Sequence, residues 1–130
     1  MPMNARILIV DDEIDMAELL KARLEGRGYE VHLEHDGASG LEKAKEMMPD
    51  LMILDVMLPK IDGYKICRLL KFDDKYKSIP IIMFTALGQE SDVTLGMEVG
   101  ADAYFTKPLD HKMFLEKLEE LLKKDASEHE

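Results

Sequence analysis

Short apolar runs alternate along this chain with stretches in which apolar residues return every three or four positions. The runs Arg6 to Val10, Glu30 to His35, Leu51 to Leu54, Ile79 to Phe84 and Ala103 to Phe105 have the length and composition of strands. Helical spacing predicts elements over Ile14 to Gly26, Ala38 to Met48, Gly63 to Lys71, Glu90 to Val99 and His111 to Lys124. The last carries the clearest stripe: Phe114, Leu115, Leu118, Leu121 and Leu122. The first, third and fourth runs are apolar almost throughout, which fits strands covered on both faces. A strand followed by a helix, five times over, predicts an α/β fold with a doubly wound parallel sheet.

Punctuation supports these boundaries. Gly26 and Gly28 suit a helix C-terminus before the second strand, Pro49 ends the second helix, and Pro80 sits where the fourth strand begins. One segment has the wrong period: Val93, Leu95, Met97 and Val99 alternate with Thr94, Gly96 and Glu98, as in a strand. A parallel connection between the fourth and fifth strands needs a crossover of about a dozen residues, so the segment is read as helix. Leu95 is then expected to point away from Met97, toward solvent.

Composition narrows the functional classes. At 130 residues the chain is one domain, expected to comprise residues 1–124 with a frayed acidic tail at 125–130. A formal charge of −10 and a pI near 4.8 disfavour direct nucleic-acid binding, because an acidic surface repels phosphate backbones. Cys67 has no partner cysteine and falls in a helical pattern beside Ile66 and Leu70, which reads as a small core residue. The chain opens Met1-Pro2-Met3 without a charged-then-apolar leader, so a reducing cytoplasm is the expected setting. No apolar stretch approaches the ~18 residues of a membrane span, so no membrane insertion is expected. His32, His35, His111 and His129 show no metal-ligand spacing.

Four of the predicted strands end on residues that carry chemistry: Asp11-Asp12, Asp55, Thr85, and Thr106-Lys107. In an open parallel sheet the strand ends of one polarity line a single crevice. Two carboxylates about 4 Å apart repel by ~4 kcal/mol at an effective dielectric near 20, so such a cluster calls for a cation or raised pKa values. Oxygen-only ligands favour Mg²⁺. With Lys107 and the Thr85 hydroxyl at the same mouth, these are the parts that stabilise a transferring phosphoryl group, with Asp55 as the nucleophile.

The segments Ile7-Leu-Ile-Val-Asp-Asp-Glu13, Asp50-Leu-Met-Ile-Leu-Asp-Val-Met-Leu-Pro59 with Asp62-Gly63, Pro80-Ile-Ile-Met-Phe-Thr-Ala86 and Gly100-Ala-Asp-Ala-Tyr-Phe-Thr-Lys-Pro108 resemble the receiver domain of two-component response regulators. The resemblance covers about Arg6 to Lys124. It implies a flavodoxin-like sheet of strand order 2-1-3-4-5. It also implies that Asp55 accepts a phosphoryl group from a histidine kinase or histidine phosphotransfer domain. Asp12, Asp55 and the Met57 carbonyl would hold Mg²⁺ directly, and Asp11 through water. Lys107 would contact phosphoryl oxygen, Thr85 would turn toward it, and Tyr104 would be the aromatic switch. The Lys107-Pro108 bond would be cis. The readout would lie on helix four, strand five and helix five, as a contact for an effector domain, a downstream protein or a second copy. Such a domain is a regulatory phosphoacceptor that catalyses only its own phosphorylation and dephosphorylation.

Met57 and Leu87, two residues after Asp55 and Thr85, fall at positions the family associates with hydrolysis of the phosphate. Both are apolar here, which suggests slow water attack. Val93 and Leu95 place apolar side chains where many relatives carry charge, a candidate output or dimer contact. Three other functions fit these residues less well. A haloacid-dehalogenase-like phosphatase needs a second acid where Met57 stands, and Asp11-Asp12-Glu13 would repel a flavin phosphate. A degenerate receiver, acting by contact alone, would lack phosphotransfer positions that this chain has.

Overall fold

The computed structural model describes residues 4–108 and 110–128. Five parallel strands, β1 (Arg6–Val10), β2 (Glu30–Glu34), β3 (Leu51–Leu54), β4 (Ile81–Thr85) and β5 (Ala103–Thr106), form one sheet in the order β2-β1-β3-β4-β5. They alternate with helices α1 (Ile14–Glu25), α2 (Gly37–Met47), α3 (Gly63–Lys71), α4 (Glu90–Glu98) and α5 (His111–Glu128). This is the predicted doubly wound sheet.

The pleat sorts each strand into two cores. Ile7 and Ile9 face a cluster with Leu20 and Leu24 of α1 and Phe114, Leu118 and Leu122 of α5. Leu8 and Val10 face the opposite cluster, with Ala44 of α2 and Ile66, Cys67 and Leu70 of α3. Continuous apolar strands follow from this, since both faces of the sheet are covered. Phe114 anchors the first core between Phe84 and Phe105, at ring-centroid distances of 5.8 and 5.4 Å.

The sheet is fixed at its N-terminal edge by two carboxylates. Asp50 accepts the Arg6 N–H at 2.7 Å, while the Arg6 guanidinium donates to the Met47 carbonyl at the end of α2. Asp102 accepts the Ile81 N–H at 2.8 Å and pairs with Lys71 at 2.7 Å. Lys71 in turn donates to the Ile79 carbonyl at 2.7 Å, clamping α3 to the start of β4.

Several boundaries move by a residue or two, for local reasons. β4 begins at Ile81, because Pro80 has no N–H to give, and extends to Thr85, which pairs with Thr106. β2 stops before His35, whose Nδ1 instead bonds the Asp11 carbonyl at 2.9 Å. α2 starts at Gly37 behind the Asp36 cap, which accepts the Ser39 N–H. It stops where Met48 turns left-handed (φ 48°), the residue before Pro49. α5 continues past Lys124 as far as Glu128; residues 129 and 130 of the expected tail lie outside the described residues.

The segment of strand-like period is helical. Leu95 is exposed as expected, but Met97 is exposed too. The buried position between them is Gly96, which packs its bare backbone against the Tyr104 ring. Among the described residues, no helix is long and apolar enough to cross a membrane.

Candidate functional site

The strand register delivers four functional side chains to one rim. Val10 pairs with Leu54, and the Asp55 N–H bonds the Val10 carbonyl at 3.0 Å, so Asp11 and Asp55 leave adjacent strands side by side. The Lys107 N–H bonds the Thr85 carbonyl at 2.8 Å, which brings the lysine back from β5 toward the same rim. The peptide bond between Lys107 and Pro108 is cis.

Asp11, Asp12 and Asp55 each offer an oxygen within 4.8 Å of the others. Asp11 and Asp55 are buried, while Asp12 is exposed and open to water. All three donors are hard carboxylate oxygens, which fits Mg²⁺ or another hard divalent cation. The Met57 N–H donates to Asp55 Oδ1 at 3.2 Å and steadies that carboxylate, and the Met57 side chain lies exposed at the mouth.

Lys107 reaches into this cluster from a buried position. Its Nζ lies 2.9 Å from Asp11 Oδ2 and 3.1 Å from Asp55 Oδ2, and it also donates to Glu13 Oε1. The Phe84 ring lies below it, its centroid 5.2 Å from Nζ. Burial alone would depress the lysine, but its bonds to Glu13 and Asp11 and the nearby charges of Asp11 and Asp55 hold it well above its ordinary value. Asp11 is raised, chiefly by burial, and the Glu13 N–H and Lys107 only partly offset this. The ammonium is therefore a fixed positive charge between two buried acids.

Thr85 and Tyr104 form a second set, joined through one residue. The fully buried Thr85 accepts a long bond from the Leu87 N–H at 3.4 Å, and the Leu87 carbonyl accepts the Tyr104 hydroxyl at 2.6 Å. Burial, with Tyr64 close by, pushes the Tyr104 phenol above its usual range, so it stays a donor. Tyr64 itself donates to the Asp92 carbonyl of α4 at 3.0 Å.

The model of the response regulator receiver domain matches residues 7–119 of this chain. The chain belongs to the response regulator receiver family. It is 43% identical over 119 residues to the DNA-binding dual master transcriptional regulator RpaA of Synechocystis, across 92% of this chain and 49% of that protein. It is 48% identical over 106 residues to the alkaline phosphatase synthesis transcriptional regulatory protein PhoP of Bacillus subtilis, across 82% of this chain and 43% of that protein. The chain thus spans about half the length of these curated relatives. Among solved structures, a CheY-like receiver domain protein from Methanospirillum hungatei superposes with a TM-score of 0.88 at 31% identity, covering 95% of this chain and 98% of that one.

In this receiver Asp11, Asp12, Asp55 and Lys107 converge, and Thr85 and Tyr104 are linked to each other through Leu87. Two participants escape sequence reasoning. Glu13 bonds Lys107, and the only signal for it was a third acid following Asp11-Asp12. The Leu87 backbone links threonine to tyrosine, and a backbone group leaves no trace in residue identity.

Proposed function

We propose that this chain is a phosphoacceptor receiver in which Asp55 takes a phosphoryl group from the phosphohistidine of a sensor kinase or a phosphotransfer domain. The observation that carries the reading is the Lys107 ammonium held at 2.9 and 3.1 Å from two buried carboxylates at the rim of the sheet. In the transfer an Asp55 oxygen forms a bond to phosphorus as the donor's P–N bond breaks. The electron pair of that bond returns to the imidazole nitrogen. Lys107, already held beside Asp55, supports the charge on the phosphoryl oxygens. Asp11, Asp12, Asp55 and the Met57 carbonyl are the groups that would hold Mg²⁺. Bound there, the ion would neutralise the carboxylate cluster and the charge of the arriving phosphoryl group.

Readout follows from the Leu87 link. If Thr85 turns its hydroxyl toward phosphate, the Leu87 N–H loses its acceptor, and the loop that also holds Tyr104 must rearrange. The surface of α4, β5 and α5 then shifts between two populated states that a partner protein, an effector domain or a second copy would read. A unit of charge −10 is suited to protein contacts in the cytoplasm rather than to nucleic acid, with residues 1–124 as the working domain.

Intact mass after incubation with Mg²⁺ and acetyl phosphate tests the reading. One phosphoryl adduct is expected on the wild type, and none on Asp55→Asn or after chelation. An equal adduct on Asp55→Asn removes Asp55 from the role.

A further inference from the structure

An ammonium has three N–H donors and no acceptor. On Lys107 all three are accounted for: Asp11 at 2.9 Å, Asp55 at 3.1 Å, and Glu13. A phosphoryl oxygen that comes to rest on Lys107 must therefore displace one of these carboxylates. The three are not equivalent. The Asp11 and Asp55 side chains are only 4% and 5% exposed, and while the phosphoryl group arrives, before the Asp55 oxygen is bonded to phosphorus, taking the cation from either leaves a buried carboxylate without its partner. The Glu13 side chain is 54% exposed, so water replaces the lysine at little cost.

The backbone suits such an exchange. The Glu13 N–H is bound to Asp11 Oδ1 at 2.9 Å, and its carbonyl accepts the Ala17 N–H, the first bond of α1. Glu13 is the N-cap residue of α1, yet its side chain makes no capping bond, being turned to Lys107 instead. The side chain can swing away while the chain beneath it stays fixed.

We propose that Glu13 is a gate on Lys107, a positioning residue that occupies the third donor of the ammonium until a phosphoryl oxygen takes its place. The inference rests on the phosphoacceptor reading of Asp55. It sets the affinity for the phosphoryl group through a competing internal anion, and it predicts tighter binding when that anion is removed or shortened.

The test uses beryllofluoride, a phosphoryl mimic, titrated with saturating Mg²⁺ into the wild-type chain, Glu13→Gln and Glu13→Asp, and followed by fluorine NMR. Gln keeps the length with a neutral oxygen, and Asp keeps the charge without the reach. Both variants are expected to bind about threefold to tenfold tighter than wild type. Their affinity for Mg²⁺ alone, by calorimetry, is expected to stay within about twofold. Without any ligand, proton exchange at the Lys107 ammonium, read by nitrogen NMR, is expected to be faster in both.

Wild-type binding with unchanged affinity in both variants overturns the gate and leaves the phosphoacceptor reading standing. A gain in Glu13→Gln alone also overturns it, since that is the mark of charge at a distance rather than of contact. Unchanged ammonium exchange, or a change confined to Mg²⁺ affinity, does the same. No binding by the wild type overturns the phosphoacceptor reading, and the gate with it.

Discussion

The Cys67 thiol lies fully buried, 3.5 Å from the Val99 carbonyl at the end of α4. Burial pushes it up from the ordinary 9.0 to about 12. A thiol held up in the fold keeps its proton where the unfolded chain has lost it, so the folded state binds more protons between those two values. Stability therefore falls as pH rises through that window and is unaffected by this group below it. At about pH 8 alkylation of native protein by iodoacetamide is expected to be far slower than in denaturant, because the thiolate is the nucleophile. Equal rates measured by mass would mean that the thiol is not enclosed. Cys67 was legible from its neighbours Ile66 and Leu70, as were Asp11, Asp12, Asp55 and Lys107 from the strands they follow. Glu13 and Leu87 were not, since one acts by reach across the rim and the other by its backbone.

At the scale of the element, α4 shows why hydrophobic period misled. Its inward contact is a glycine: a Cβ on Gly96 would lie 2.7 Å from Tyr104 Cδ2 and 3.3 Å from the Met83 sulfur. Absence of a side chain has no hydropathy signal, so the exposed Leu95 and Met97 dominated the pattern. Topology corrected it, because a parallel crossover requires a helix there. Gly96→Ala is expected to push the Tyr104 ring aside and part its hydroxyl from Leu87. Overpacking costs about 1–3 kcal/mol, and Ala regains about 0.5–1 kcal/mol of helix stability, so urea unfolding should change modestly. The Tyr104 ring resonances should move strongly. Ring shifts equal to wild type would show that the ring does not rest on α4.

For the whole molecule, the strand order came from the resemblance to receiver domains, while the doubly wound parallel sheet was readable from the five-fold strand-helix alternation. The residue-scale boundaries were not, because caps such as Asp36 and the Asp11–His35 contact depend on atoms brought together by the fold. A cation held by the three clustered acids, in a chain of charge −10, would couple its binding to folding. A ligand that binds only the native state stabilises it by about 2.7 kcal/mol at a hundred times its Kd. Mg²⁺ is thus expected to raise the thermal midpoint of the wild type, and to raise it much less in Asp12→Ala, which removes the exposed carboxylate of the cluster. Calorimetric scans with equal rises in both proteins would place the ion elsewhere.

The two carboxylates at the opposite edge of the sheet, Asp50 on Arg6 and Asp102 on Ile81 and Lys71, give the sheet a mechanical polarity. One end of every central strand is bolted to its neighbours, and the other ends at the rim that gathers Asp11, Asp55 and Lys107. A disturbance at the rim then has nowhere to go but sideways, into loops and helix starts, since the bolted end cannot slide to absorb it. Substitutions that retune chemistry or partner choice at the rim accordingly leave the Asp50 and Asp102 contacts between strands in place.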